Sequence, residues 1–235
     1  MAKTRNYDGE NIRVRPARSS RPRSKDRPDY SKSARALVIA VDRGRTTCLI
    51  ESKAIVVTAM KARELGKQSV VVGDQVKLVG DLSGEAGTLA RLVEVESRRN
   101  ELSRTVDDTE KVEKRIVSNI DQMAIVVAAK NPEPRHGFVD RALVIAYDQG
   151  IKPIIVMTKR DLADPSDFLN VYRPLEVESF VLSRDSDLTS MHERLQGKTS
   201  VLIGHSGVGK STLVNNLSSD EKRSVGKVNV VTGRG

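Results

Sequence analysis

The sequence is poor in cysteine and in long apolar segments, and each shortage excludes a class of protein. Cys48 is the single cysteine among 235 residues, so no disulfide can form within the chain, which suits a reducing compartment. No apolar run approaches the roughly 20 residues of a membrane span. The first residues are polar and basic, so we expect no secretory signal peptide. The chain is therefore predicted to be cytoplasmic, with no membrane partner.

Aromatic residues and metal-ligand patterns are also scarce. Aromatic residues make up 3% of the chain, so stacking on nucleic-acid bases would be weak. The three histidines, His136, His192 and His205, do not cluster, and no Cys/His spacing typical of a zinc site is present.

Positive charge is in excess, and most of the excess lies in the first segment. The formal net charge is +9, and residues 1–33 hold ten Lys or Arg against four Asp or Glu. This segment has three prolines and almost no apolar residues, so we expect a disordered arm. Its charge indicates binding to RNA phosphates, although a solubilising tail would have the same composition. The candidate RNA-binding residues are Arg13, Arg15, Arg18, Arg21, Arg23, Lys25 and Arg27.

Residues 34–98 have the pattern of a small all-β domain. The candidate strands are 36–41, 46–51, 54–58, a pair over 69–79 that turns at Gly73-Asp74, and 87–95. This density of short strands predicts a barrel of the oligonucleotide-binding type, the OB-fold. A structural β-domain without a ligand is the alternative.

The rest of the chain changes to an alternation of strands and helices. Residues 99–115 are polar and predict a linker, and residues 116–235 predict an α/β domain with a parallel sheet. Strands are expected at 122–129, 152–157, 176–182 and 198–203, with helices at 138–147, 165–172, 188–195 and 210–217.

One motif, Gly204-His-Ser-Gly-Val-Gly-Lys-Ser-Thr212, lies between the last strand and the last helix of this alternation. It matches the phosphate-binding loop G-x-x-x-x-G-K-[ST], in which backbone N–H groups surround a polyanion. Lys210 would reach the outer phosphates as the catalytic residue, and the Ser211 hydroxyl would bind Mg²⁺. The candidate nucleotide-binding residues here are Gly204, His205, Ser206, Gly207, Val208, Gly209, Lys210, Ser211 and Thr212.

A second motif, Thr158-Lys-Arg-Asp161, ends an earlier strand. It is related to Asn-Lys-x-Asp of guanine-nucleotide proteins, in which the aspartate accepts hydrogen bonds from the guanine N1–H and exocyclic amine. Thr158 replaces the asparagine, a change that would loosen the link between this loop and the phosphate loop. The loop after strand 176–182 is predicted to offer backbone N–H groups to the guanine carbonyl. The candidates are Thr158, Lys159, Arg160, Asp161, Leu182 and Ser183.

The order of the two motifs is unusual. Asp161 precedes Gly204 by 43 residues, whereas GTPases commonly place the phosphate loop first. This order predicts a circular permutation in which both loops still meet at one edge of the sheet.

A barrel followed by Thr158–Asp161 and then by Gly204–Thr212 resembles the RsgA family, the ribosome small subunit-dependent GTPases A, over about residues 34–235. Val72-Gly-Asp-Gln-Val76 and Arg99-Asn-Glu-Leu-Ser-Arg104 are also similar to stretches of that family. The resemblance implies GTP, GDP and Mg²⁺ as ligands, and the 30S subunit with its 16S rRNA as partners. It also implies a role in late subunit maturation, and we predict a monomer.

The family pattern continues with a threonine-containing switch, a D-x-P-G motif and a zinc domain with three Cys and one His. None of these follows Val230-Val-Thr-Gly-Arg-Gly235, so we expect an incomplete GTPase domain with impaired hydrolysis and no zinc ligands. Two other functions fit the residues: a non-hydrolysing RNA-binding module with a relic nucleotide fold, and an ATP-using phosphate-loop enzyme.

Overall fold

The structure, a computed structural model, describes residues 30, 33–42, 44–105 and 113–220. Within these ranges the chain forms a closed β-barrel, a two-stranded hairpin and a four-stranded sheet. The seven candidate RNA-binding residues of the arm lie outside the described residues. No helix in the described part is long and apolar enough to cross a membrane.

The barrel has five strands: β1 (Ala34–Asp42), β2 (Arg45–Ile50), β3 (Ile55–Lys61), β4 (Gln75–Gly80) and β5 (Ala90–Val95). They close in the order β1-β2-β3-β5-β4, and β3 and β5 pair in parallel. Alternate side chains point inward, so Val38, Cys48, Val57, Leu78 and Leu92 form a continuous apolar core. Burial raises the pKa of the Cys48 thiol to about 12. This order and closure confirm the predicted OB-type barrel.

One predicted part of the barrel is not a strand. The sequence predicts a strand pair over 69–79, but regular pairing begins only at Gln75. The chain turns before that because Gly73 has a φ of 91° and the Asp74 carboxylate accepts the Val71 N–H at 2.9 Å. Val72 forms an isolated bridge with Val117, which lies outside the barrel. The segment before β4 therefore faces the second half of the molecule.

The predicted linker also contains regular structure. Strands β6 (Glu101–Thr105) and β7 (Glu113–Ser118) pair as an antiparallel hairpin. Leu102 and Ile116 pack against the core of the neighbouring sheet, while exposed positions are polar, which is why the sequence looks like a linker. Hydrogen bonds from Arg115 and then Arg98 lower the pKa of Glu101. The hairpin thus joins the barrel to the sheet as an ordered element.

The second half is an α/β layer structure. Its parallel strands are β8 (Gln122–Ala128), β9 (Lys152–Thr158), β10 (Glu178–Val181) and β11 (Ser200–Ile203), in the order β10-β9-β8-β11. One apolar core includes α1 (His136–Asp148) and α2 (Ser166–Asn170). The other core includes α3 (Thr189–Leu195) and α4 (Lys210–Asp220). The predicted parallel α/β domain is confirmed.

The strand order determines where the candidate residues meet. Every residue of β8 is buried, so β8 is a central strand, and β9 and β11 pair with it on either side. Because all four strands are parallel, the loops that follow them open at one edge of the sheet. Asp161 follows β9 and Gly204 follows β11. The candidate base-reading loop (Thr158–Asp161) and the phosphate loop (Gly204–Thr212) therefore lie at the same edge despite their separation in sequence.

Candidate nucleotide-binding site

The phosphate loop runs from the end of β11 into the first turn of α4. A Cβ at Gly204 would lie 2.4 Å from the Val126 carbonyl oxygen, so glycine alone fits against β8. Gly207 and Gly209 have φ values of 80° and 92°, a left-handed conformation that favours glycine. Val208 is 1% exposed and anchors the loop in the core below. The loop is therefore shaped by glycines above and held by one apolar side chain below.

The Lys210 ammonium lies across this loop. Its Nζ donates to the carbonyl oxygens of Gly204 at 2.6 Å and His205 at 2.7 Å, and burial lowers its pKa. A phosphate group would offer stronger, charged acceptors than these carbonyls. The helix N-terminus adds partial positive charge at the same place. The arrangement is suited to binding a polyanion.

The residues present also fit a magnesium ion. Ser211 and Thr212 are exposed on the first turn of α4. Within the described ranges no group of three or more His, Cys, Asp or Glu could hold a metal. Mg²⁺ commonly keeps several waters and binds one or two protein oxygens together with substrate phosphates. The Ser211 hydroxyl would therefore serve as a protein ligand beside the nucleotide phosphates.

The loop that is predicted to read the base, Thr158–Asp161, begins at the last residue of β9. Lys159 has a left-handed φ of 56°, and its Nζ donates to the Asn131 carbonyl oxygen. Asp161 is exposed and has no hydrogen-bond or ion-pair partner among the described residues. The Arg160 N–H donates to the Leu182 carbonyl at 3.1 Å, which brings the loop after β10 alongside. The Asp161 carboxylate is therefore available to a base.

Thr158 connects the two loops directly. Its hydroxyl donates to the Val208 carbonyl oxygen at 2.6 Å and lies 3.3 Å from the Val127 carbonyl oxygen. Because a hydroxyl carries one hydrogen, the shorter contact is the effective bond. The sequence predicts that threonine here loosens the link between the loops, and the strength of this link relative to that of an asparagine stays a prediction. The link exists through the hydroxyl, between residues 50 positions apart.

Replacing Thr158 with valine is expected to weaken GDP and ADP equally, by about tenfold. Valine keeps the shape but leaves a buried carbonyl without a donor, which costs about 1–3 kcal/mol. Affinity is measured by titrating a fluorescent nucleotide. Thr158→Asn, which restores a donor, should recover most of the affinity, and Thr88→Val removes a comparable bond from an exposed barrel turn as a control. Unchanged affinity in Thr158→Val would show that the link does not position the phosphate loop.

Sequence reasoning missed a third wall of the site, the loop between β8 and α1. The Asn131 backbone carbonyl accepts a hydrogen bond from the Lys159 ammonium. A Cβ at Gly207 would lie 3.9 Å from Pro132 Cδ. The Phe138 ring on α1 packs against the His205 ring, with centroids 4.6 Å apart. The position of this loop in the sequence could have revealed it, because the loop follows a buried parallel strand and must open at the same edge of the sheet as the other two loops.

The loop after β10 uses its N–H groups internally. The Leu182 N–H donates to the Met157 carbonyl at 2.7 Å, and the Ser183 N–H donates to Ser186 Oγ at 2.7 Å. A guanine carbonyl could receive the Ser183 N–H only after the bond to Ser186 opens. The loop lies beside Thr158–Asp161 as expected, and the base contact by its amides stays a prediction.

Comparisons with known proteins agree with this geometry. The chain matches the RsgA GTPase family over residues 95–235. It is 37% identical to the small ribosomal subunit biogenesis GTPase RsgA of Pseudomonas aeruginosa over 175 residues, which are 71% of this chain and 50% of that protein. The small ribosomal subunit biogenesis GTPase RsgA 1 of Listeria monocytogenes is 33% identical over 173 residues, which are 71% of this chain and 55% of that protein. The chain thus spans about half the length of the curated relatives it matches.

Solved structures show the same architecture. YjeQ from Thermotoga maritima superposes with a TM-score of 0.62 and 26% identity, over 79% of this chain and 65% of that one. YloQ, described as a circularly permuted GTPase, gives a TM-score of 0.60 and 28% identity, over 81% of this chain and 66% of that one. The predicted circular permutation is confirmed.

Proposed function

Since the chain belongs to the RsgA GTPase family, we propose that it binds and hydrolyses GTP and acts in the late maturation of the small ribosomal subunit. The observation that carries the nucleotide part is the Thr158–Val208 hydrogen bond. It supports a single site that contains the phosphate loop and Asp161, which has no hydrogen-bond or ion-pair partner among the described residues. The names of the relatives support the ribosomal part.

The residues of the site divide the work of phosphoryl transfer. The reaction depends mainly on positioning and on stabilising negative charge at the phosphates. The loop N–H groups and the Lys210 ammonium would hold the β- and γ-phosphates and neutralise the charge that develops there. Ser211 would hold Mg²⁺, which would supply further positive charge to the phosphates. Asp161 would select guanine at the other end of the nucleotide.

The barrel and the basic arm would bind 16S rRNA. An OB-type barrel is a common support for nucleic-acid binding. Several exposed basic side chains of the barrel have no ion-pair partner among the described residues, namely Arg45, Lys53, Arg63, Lys67 and Arg91. With few aromatic residues available, the binding would be to phosphates more than to bases. The seven basic residues of the arm would extend this electrostatic surface.

The rRNA proposal is tested by the salt dependence of binding to purified 30S subunits. Counterion release makes log affinity fall linearly with log salt, by about 0.7–0.9 per phosphate contact. A variant with the seven arm residues replaced by glutamine keeps the arm length, and we expect it to bind more weakly with a shallower slope. Sedimentation with 30S subunits over a series of KCl concentrations gives both values. An unchanged slope would make the arm a solubilising tail, and no 30S binding by the unaltered chain would refute the ribosomal function.

A further inference from the structure

The barrel and the parallel sheet have separate apolar cores. The barrel core and the two cores of the α/β half share no residue. A cavity of about 220 Å³ lies where the two halves meet, and Gly73, Arg99, Asn119 and Thr199 are among its lining residues. Polar contacts around this cavity, together with close backbone packing, therefore set the orientation of the barrel. These contacts form one connected series.

The first contact fastens the barrel to the end of β7. Asp74 is 0% exposed, and one of its carboxylate oxygens accepts the Ser118 hydroxyl at 2.6 Å and Arg98 Nε at 2.7 Å. A Cβ at Gly73 would lie 2.0 Å from the Ser118 carbonyl oxygen, so the two backbones touch. A shift of the barrel here would break the buried hydrogen bond that Ser118 donates to Asp74.

The second contact is made by one side chain, Asn119. Its backbone is left-handed, with a φ of 53°. The side-chain amide donates to the Gly73 carbonyl at 2.8 Å, and its oxygen accepts the Arg99 N–H at 2.9 Å. Asn119 thus joins the barrel to the residue that enters the hairpin.

The third contact reaches the strand of the phosphate loop. One oxygen of Asp121 accepts Arg99 Nη2 at 2.9 Å, and the other accepts the Thr199 N–H at 2.8 Å. Thr199 directly precedes β11, whose four residues end at Ile203, directly before Gly204. Among the described strands β11 pairs only with β8, so its position depends on that neighbour and on Asp121.

We propose that Asn119 and Asp121 are positioning residues that couple the barrel to the phosphate loop. A displacement of the barrel would move Arg99 and Asp121, and the short strand β11 would carry the change to Gly204. By thermodynamic linkage, nucleotide binding would then change the stability of the barrel, and a ligand on the barrel would change nucleotide affinity by the same factor. The identity of the two ligands rests on the proposed function, whereas the coupling itself rests on these contacts.

Asn119→Gly tests the coupling without straining the backbone, because glycine accepts a left-handed φ. Ala54→Gly is the matched control, since Ala54 also has a positive φ of 52° and lies in the barrel away from the contact. Amide hydrogen exchange of β4 is measured by mass spectrometry with and without GDP at about 100 times its Kd, where linkage allows roughly 100-fold protection. We expect GDP to slow exchange in β4 at least about tenfold in the unaltered chain and in Ala54→Gly. We expect less than about a twofold change in Asn119→Gly, with GDP affinity within about threefold.

A second variant and a second measurement keep the outcomes separable. Asp121→Asn cannot accept from both Arg99 and Thr199. GDP at about 100 times the Kd of this variant should therefore also fail to slow exchange in β4. If GDP protects the sheet but not β4 in the unaltered chain, or still protects β4 in both variants, the coupling is refuted. If GDP protects neither half, the nucleotide function fails instead. The coupling is then judged by nucleotide-free thermal unfolding, with one transition expected in the unaltered chain and two in Asn119→Gly.

Discussion

Asp161→Ala is expected to abolish the preference for GDP over ADP, whereas Lys210→Ala is expected to weaken both nucleotides by about 100-fold. Guanine presents N1–H and a neighbouring amine to the two oxygens of a carboxylate, whereas adenine presents an unprotonated N1. Hydrogen bonds to a charged group contribute about 1.5–3 kcal/mol each, so losing two removes a preference of roughly 100-fold or more. The Lys210 ammonium contacts phosphates, which both nucleotides share.

Competition titrations with a fluorescent GDP analogue measure both effects. Two variants that remove exposed charges serve as controls. Asp148→Ala, at the far end of α1, is the control for Asp161→Ala, and Lys198→Ala, before β11, is the control for Lys210→Ala. Equal affinity of the unaltered chain for GDP and ADP would contradict guanine selection and favour an ATP-using enzyme. No measurable affinity for either nucleotide would favour an RNA-binding module with a relic nucleotide fold.

Short-range pattern was sufficient for most of the architecture. The density of short strand-like runs separated by turn signals predicted the barrel strands, and the apolar run at Gln122–Ala128 predicted a central parallel strand. Glycine spacing predicted the phosphate loop, because its backbone conformation excludes other residues at Gly207 and Gly209. Such features depend on residues close in sequence, and they were predicted to within a few residues.

The features that were missed depend on distant contacts. Residues 69–72 have the composition of a strand, but Asp74 is drawn toward Ser118, 44 positions away. Thr158 departs from the usual asparagine, and its replacement bond to Val208 becomes apparent only when β9 and β11 flank the same strand. The hairpin looked like a linker because one face of it is buried and the other is polar.

Asp74→Asn is expected to destabilise the chain more than any exposed charge substitution in the barrel. The Asp74 side chain is 0% exposed and the Arg98 side chain is 15% exposed, and the hydrogen bonds that Arg98 donates to the Asp74 carboxylate raise the pKa of Arg98. Breaking a buried ion pair by removing one charge costs about 3–5 kcal/mol. Asparagine also turns one acceptor into a donor, which would face the Arg98 guanidinium or the Val71 N–H. For a chain of this length the loss corresponds to a decrease in Tm of roughly 6–20 °C.

Glu96→Gln provides the matched comparison on the same barrel. Glu96 pairs with Arg35, whose side chain is 68% exposed, and exposed pairs contribute about 0–1 kcal/mol. Scanning calorimetry of the unaltered chain and both variants gives the Tm values directly. A decrease in Asp74→Asn no larger than that in Glu96→Gln would show that the buried bonds of Asp74 to Arg98 and Ser118 contribute little to stability. The orientation of the barrel would then depend on the backbone contact between Gly73 and Ser118, where a Gly73→Ala variant would become the decisive change.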